Sequence, residues 1–186
     1  MKLSEKQIDA LILMSQEGDS EAFGGLYDFY LTDIYRFIFY KVTHKELAED
    51  LTEDTFFKAW RQINKYQKTK FPFTSWLYKI AHNTVIDHVR KENVQIDELV
   101  HEITDNRIAA DKTTEAFFNQ QLLQRALVAL PETQREVVVL KYVNERTHKE
   151  ISEITGKSEA AVRTLLSRGI ARLKESIQRL EEKNNL

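Results

Sequence analysis

The sequence predicts an all-α protein made of two small helical domains joined by an acidic linker, the C-terminal domain carrying a helix-turn-helix. Three observations lead there. Apolar residues recur at three- and four-residue steps along most of the chain, the spacing of helices with one buried face. Capping sequences open several of these segments and glycines close them. Between about Asn93 and Thr113 the period fades and acids dominate, so two periodic halves flank a linker. The expected domains are residues 1–92 and 115–186, with 93–114 between them.

Ser4-Glu5-Lys6-Gln7 reads as a capping box, opening a helix whose Ile8, Leu11 and Ile12 share a face until Gly18 stops it. Asp19 or Ser20 starts a second helix with Phe23, Leu26, Tyr27 and Tyr30 at helical spacing, and Ile34, Phe37, Ile38 and Val42 follow on a third segment. Aromatic stripes at this spacing are far more often core than ligand contacts. A fourth helix, about Lys45 to Lys65, turns Leu47, Leu51, Phe56 or Thr55, Ala59 and Ile63 inward. A long helix then covers Phe71 to Arg90, entered through Pro72 and capped by Thr74 or Ser75. Its buried stripe is Leu77, Ile80, Ala81, Thr84, Val85 and His88.

After the linker, a helix near Glu115 to Leu130 carries Phe118, Leu122, Leu123, Ala126 and Leu127. Pro131 suits the first turn of the next helix, PETQREVVVLKYV, because it lacks an N–H that would go unpaired there. Thr147-His148-Lys149-Glu150 is a second capping box, opening a short helix through Ile151 and Ile154 that Gly156 ends. Ser158 caps the final helix, with Val162, Leu166, Ile170 and Leu173 on its inner side. Short helix, glycine turn, longer helix is the helix-turn-helix order. Glu159, Ala160, Arg163, Thr164, Ser167 and Arg168 then face outward where a recognition helix meets the major groove.

Composition narrows the function. The chain has 186 residues and no cysteine, which removes disulfides, thiolate zinc sites and thiol catalysis and fits a reducing interior. No signal-peptide core and no membrane-spanning apolar run is evident, so a soluble cytoplasmic protein is expected. The net charge of −2 is unevenly spread. Lys plus Arg against Asp plus Glu is 5 against 12 over residues 1–57, 8 against 1 over 58–91, 2 against 7 over 92–118 and 12 against 9 over 119–186. An acidic opening and a basic middle suit two partners of opposite character.

The basic middle is the more informative. On the helix from Phe71, Trp76, Lys79, Asn83, Asp87 and Arg90 form the outer stripe, which an ordinary solvated face would also show. The loop before it tips the balance, because Lys65, Lys68 and Lys70 alternate with Tyr66, Phe71 and Phe73. Cations follow phosphates and rings stack on unpaired bases, each stack worth about 1–3 kcal/mol. Single-stranded or locally opened DNA is the indicated ligand. On the preceding helix, Glu49, Asp50, Glu53 and Asp54 fit a solvated face, a metal site or a docking surface for a basic partner. Consecutive acids diverge around a helix and no histidine stands at ligand spacing, so a metal is disfavoured; charge alone leaves the other two open.

With these motifs in place, the chain resembles the extracytoplasmic-function class of RNA polymerase sigma factors in the sigma-70 superfamily. The carriers are AEDLTEDTFFKAW from Ala48, FPFTSWLYKIAHNTVIDHVRK from Phe71, and LPETQREVVVLKYV followed by THKEISEITGKSEAAVRTLLSRGIARLKE. The resemblance implies that Asp50, Glu53, Asp54 and Phe57 dock on core RNA polymerase. It implies that Lys65, Tyr66, Lys68, Phe71, Trp76, Lys79, Asn83 and Arg90 hold the promoter −10 element, with the loop capturing a flipped base. Glu159, Arg163, Thr164, Ser167 and Arg168 would read the −35 element, and the linker would pass through the RNA-exit path. The implied protein is not an enzyme, needs no cofactor or metal, and favours the opened duplex by binding extruded bases. Many similar proteins are restrained by an anti-sigma factor, often membrane-anchored, so such a partner is expected. This sequence departs from its likenesses at Leu165, Ser167 and Ile170, where basic residues are frequent, and at His148, where an aromatic is usual. The rival reading is a stand-alone helix-turn-helix regulator with an N-terminal sensor domain; a nucleic-acid enzyme is more distant, since five dispersed histidines build no evident site.

Overall fold

A computed structural model describes residues 3–68, 71–92 and 115–184, and every regular element among them is helical. The linker 93–114 and Lys70 lie outside the described residues, and so does the side chain of Phe118.

Helix α1, Glu5–Gln16, begins at a complete capping box: Ser4 accepts from the Gln7 amide and Gln7 accepts from the Ser4 amide. Asp19 caps α2, Ser20–Val42, by accepting from the Glu21 and Ala22 amides at 2.9 and 3.1 Å. The two segments expected after Asp19 are one helix of 23 residues. No proline or glycine stands between Tyr30 and Ile34, so nothing interrupts the hydrogen-bond ladder there. It ends at Thr43, which takes a left-handed conformation at φ 56°. Helix α3, Lys45–Gln62, is capped by the His44 ring and ends earlier than its periodicity suggests, in a turn of 3-10 helix at Ile63–Lys65. Both Thr55 and Phe56 face inward.

Helix α4 runs Phe73–Glu92. Thr74 and Ser75 therefore sit inside its first turn rather than capping it, and the helix is entered from the Pro72 carbonyl, which accepts from the Trp76 amide. The expected inner stripe is buried from Leu77 to Val85, while His88 is only half-buried. Helices α1–α4 pack around a core of Leu26, Ile34, Phe37, Ile38, Phe56, Leu77 and Val85.

The later helices are α5, Glu115–Val128, α6, Glu132–Val138, α7, His148–Thr155, and α8, Glu159–Asn184. Pro131 is the residue before α6 rather than its first residue. The helix expected to run on through Val143 changes at Val139–Val143 to a π turn, whose Val139 carbonyl accepts from the Asn144 amide five residues on. Helix α8 packs on α5, α6 and α7. Gly169 permits the approach to α6, since a Cβ there would stand 2.8 Å from Val138 Cγ2.

The two groups of helices also pack on each other, α4 against α7 and α2 against α5, α6 and the π turn. Charge is buried in that contact. Lys41 of α2 and His82 of α4 both reach Glu136 of α6, at 2.5 and 2.6 Å, and Lys41 also lies 3.3 Å from Glu132. Burial alone would raise the Glu136 pKa, but the Lys41 ammonium, then the His82 hydrogen bond, outweigh it and hold the carboxyl well below the usual range. Beside this cluster, Asn144 donates to the Asp33 carbonyl at 3.1 Å, and the Arg146 guanidinium lies 5.6 Å from the centroid of the Tyr78 ring.

Candidate nucleic-acid interface

Three surfaces carry the residues singled out in the sequence. The first is the outer stripe of α3. Asp50, Glu53, Asp54 and Phe57 follow at three- and four-residue steps and share one face, with Leu51, Thr55, Phe56 and Ala59 buried behind them. Asp50 and Glu53 are exposed, while Asp54 pairs with Lys58 at 2.8 Å. Phe57 is 58% exposed amid these acids, and Arg61, one turn on, places its guanidinium 5.7 Å from the ring centroid. A large ring held in water beside three acids is the informative observation here, because rings of this size are usually buried.

The second surface is the loop from Asn64 to Phe71 with the outer face of α4. Lys79, Asn83, Asp87 and Arg90 are exposed in one stripe, as their spacing predicts. Lys65 and Lys68 project from the loop, and Lys68 pairs with Asp9 of α1. Tyr66 differs from expectation. Its ring is buried, 5.3 Å from both Phe73 and Trp76 by centroid, and its hydroxyl donates to the Phe71 carbonyl at 3.0 Å. Burial foremost, then Asp9 and Tyr30, push its hydroxyl up to about 12. The ring therefore braces the loop from within and is not presented to a base in this conformation. Trp76 is half-buried in the same cluster, leaving Phe71, 41% exposed, as the loop's most accessible ring.

The third surface is the N-terminal part of α8. Gly156 takes the left-handed conformation at φ 71° that turns the chain from α7, and Ser158 Oγ accepts from the Ala161 amide at 3.2 Å. Glu159, Arg163, Thr164, Ser167 and Arg168 are all exposed. Arg163 pairs with Glu159 at 3.2 Å, and the Thr164 hydroxyl donates to the Ala160 carbonyl at 3.0 Å. Ser167 and Arg168 remain outward beside them.

Sequence reasoning passed over Arg61, Lys58, Asp9 and Gln16. Arg61 sits eleven residues after Asp50, a helical repeat that extends the α3 stripe. Lys58 also donates to Thr84 Oγ1 at 3.3 Å, tying α3 to α4. Gln16 donates to two backbone carbonyls of the loop entrance, a contact that leaves no periodic signal. Among the described residues no cluster of histidine and carboxylate side chains could hold a metal ion.

Fold and surfaces define an all-helical protein with a helix-turn-helix at one end and a basic, aromatic-edged surface at the other. Comparison with known proteins assigns both ends. Sigma-70 region 2 matches residues 26–94 and Sigma-70, region 4 matches residues 120–173. The ECF RNA polymerase sigma factor SigM of Bacillus subtilis is 34% identical over 152 residues, covering 80% of this chain and 91% of SigM. BldN of Streptomyces coelicolor, another ECF sigma factor, is 35% identical over 167 residues, 88% of this chain. The chain spans 63% of BldN's length. Among solved structures, CnrH in complex with the cytosolic domain of CnrY has a TM-score of 0.71 at 21% identity, covering 92% of this chain and 97% of that one. The sigma factor RpoE of Bartonella quintana, solved with the anti-sigma factor NepR, has a TM-score of 0.69 at 22% identity, covering 84% and 96%. These two share the fold. The chain belongs to the extracytoplasmic-function class of RNA polymerase sigma factors, in the sigma-70 family.

Proposed function

We propose that this protein is an alternative sigma factor that docks on core RNA polymerase through the outer stripe of α3, holds the −10 promoter element with the loop and α4, and reads the −35 element with α8. The observation that carries the reading is the solvent-held Phe57 among Asp50, Glu53 and Asp54, on the helix that leads directly into the basic loop. Docking and DNA capture then share one rigid connection. Phosphate contacts come from Lys65, Lys68, Lys79 and Arg90, while Phe71 and the exposed part of Trp76 offer surfaces to extruded bases. Their stacking, about 1–3 kcal/mol per base, offsets the few kcal/mol that unstacking costs, so the opened duplex is favoured without nucleotide hydrolysis.

The protein itself makes and breaks no bond and needs no cofactor. The domains are residues 1–92, 93–114 as linker, and 115–186. The 22 residues of the linker reach at most about 75 Å when extended, enough for the two helix groups to part and engage separate elements. Both partners place the protein in the cytoplasm. An anti-sigma factor that covers the α3 stripe is the proposed restraint.

Binding of fluorescently labelled protein to purified core polymerase tests the docking surface. Asp50→Ala plus Asp54→Ala, and separately Phe57→Ala, are expected to weaken binding at least tenfold, since a desolvated anchor at an interface contributes about 2 kcal/mol or more. Equal binding by all three proteins would refute docking through α3.

A further inference from the structure

Helix α1 lies before the residues matched to Sigma-70 region 2, and nothing in that match gives it a task. Its contacts supply one. Asp9, Ile12 and Gln16 lie on one face of α1, seven residues from first to last, which is two helical turns. Ile12 is buried in the core between the two polar residues. Gln16 Nε2 donates to the carbonyls of Ile63 and Tyr66, each at 3.0 Å, at the two ends of the 3-10 turn that opens the loop. The Ile63 carbonyl also accepts the Tyr66 amide at 3.0 Å, so one side chain closes both ends of the turn. Asp9 takes the ammonium of Lys68, further along the same loop.

We propose that α1 is a template for the loop between α3 and α4, with Gln16 as the positioning residue that presets the loop for unpaired promoter DNA. This template rests on the proposed role of that loop. A loop that captures bases loses affinity in proportion to the order it must gain on binding. Here much of that order exists beforehand: the Tyr66 ring is seated against Phe73 and Trp76, its hydroxyl holds the Phe71 carbonyl, and Gln16 holds the entrance. Gln16 touches no DNA-facing atom. Its effect passes through the backbone at Ile63 and Tyr66, and so to Lys65 and Phe71. Asp9 keeps Lys68 directed until a phosphate displaces the carboxylate.

The test uses holoenzyme assembled from core polymerase and the full chain, with a fluorescein-labelled single strand covering the −10 element of a promoter transcribed by this holoenzyme. Gln16→Glu keeps the side chain's size but sets a carboxylate oxygen against the two carbonyls. It is expected to bind the strand about tenfold more weakly, the loss of two hydrogen bonds of ordinary strength. Duplex −35 binding and affinity for core polymerase are expected to match wild type, and hydrogen exchange is expected to accelerate only around residues 63–71. Gln16→Ala, which retains helix propensity, is expected to fall between the two. Strand binding by both variants equal to wild type would overturn the template while leaving the loop's role standing. Loss of core and duplex binding along with strand binding would make Gln16 a general packing residue and overturn it too. Failure of the wild-type holoenzyme to bind the strand would instead remove the reading of the loop on which the template rests.

Discussion

Tyr66 shows how a residue's type can be read from sequence while its surroundings cannot. A tyrosine between lysines in a loop suggests stacking on a base, and nothing in the local spacing reveals that the ring turns back onto Phe73 and Trp76. The structure makes it a brace. Tyr66→Phe removes the hydrogen bond to the Phe71 carbonyl and is expected to cost about 1 kcal/mol of stability, read by denaturant unfolding. Its titration has a definite sign. The folded pKa of about 12 lies above the ordinary 10.0, so the neutral hydroxyl is favoured by folding. That contribution is complete below pH 10.0 and is lost as pH rises towards 12, which an ultraviolet tyrosinate titration of Tyr66→Phe against wild type isolates. Gly169 was equally unreadable, because a glycine inside a helical period shows only that something tolerates it. Gly169→Ala brings a methyl group within 2.8 Å of Val138 Cγ2, so the overpacking cost of about 1–3 kcal/mol exceeds the gain in helix propensity of about 1 kcal/mol. A lower unfolding midpoint is the expected result.

At the scale of the element, caps and periods carried most of the information. The Ser4 and Thr147 capping boxes, the Asp19 cap and the Gly156 stop are all where local chemistry puts them. Thr147→Ala is expected to destabilise the chain by about 1 kcal/mol, because the Glu150 amide loses its acceptor. Boundaries were harder where a helix changes character instead of ending. Ile63–Lys65 tightens to 3-10 geometry and Val139–Val143 widens to a π turn, and in both places the apolar period continues across the change. The α3 stripe makes the opposite point. Charge left solvation and docking open, while the apolar period already turned Phe56 inward and left Phe57 outside the inner stripe, and burial shows the extent of it: Phe57 is 58% exposed and Phe56 is in the core. Because Phe57 makes little use of the core and the Asp54–Lys58 pair is a half-exposed one within a single helix, Phe57→Ala and Asp54→Ala are each expected to change stability by less than about 1 kcal/mol. Their effect should appear in polymerase binding alone.

For the whole molecule, the sequence separates two helical halves but says nothing of how they meet. Lys41 stands in an acidic stretch and Glu136 in a basic one, 95 residues apart, and no local pattern pairs them. Their contact is a buried charge cluster, and such clusters add little net stability while being costly to leave half-made. Glu136→Gln leaves Lys41, 1% exposed, with Glu132 as its remaining carboxylate and His82 without its acceptor's charge. The packed arrangement is expected to lose about 3–5 kcal/mol, and small-angle scattering should record a larger radius of gyration. Acid acts in the same direction. The Glu136 carboxyl is depressed from 4.5 to about 2, so its contribution to packing is complete above pH 4.5 and is lost progressively as pH falls towards 2. Lys41 and His82 touch it directly, and Glu132 shares the Lys41 ammonium.

The most direct measurement is run-off transcription from a promoter library by purified core polymerase, with and without this protein, comparing wild type with Asp50→Ala plus Asp54→Ala. A sigma factor docked through α3 predicts transcripts from a defined promoter set with wild-type protein, few with the double variant, and none from core polymerase alone. Tight, specific binding of duplex DNA by the protein alone, with no transcript dependent on it, would contradict that conclusion and favour a stand-alone helix-turn-helix regulator.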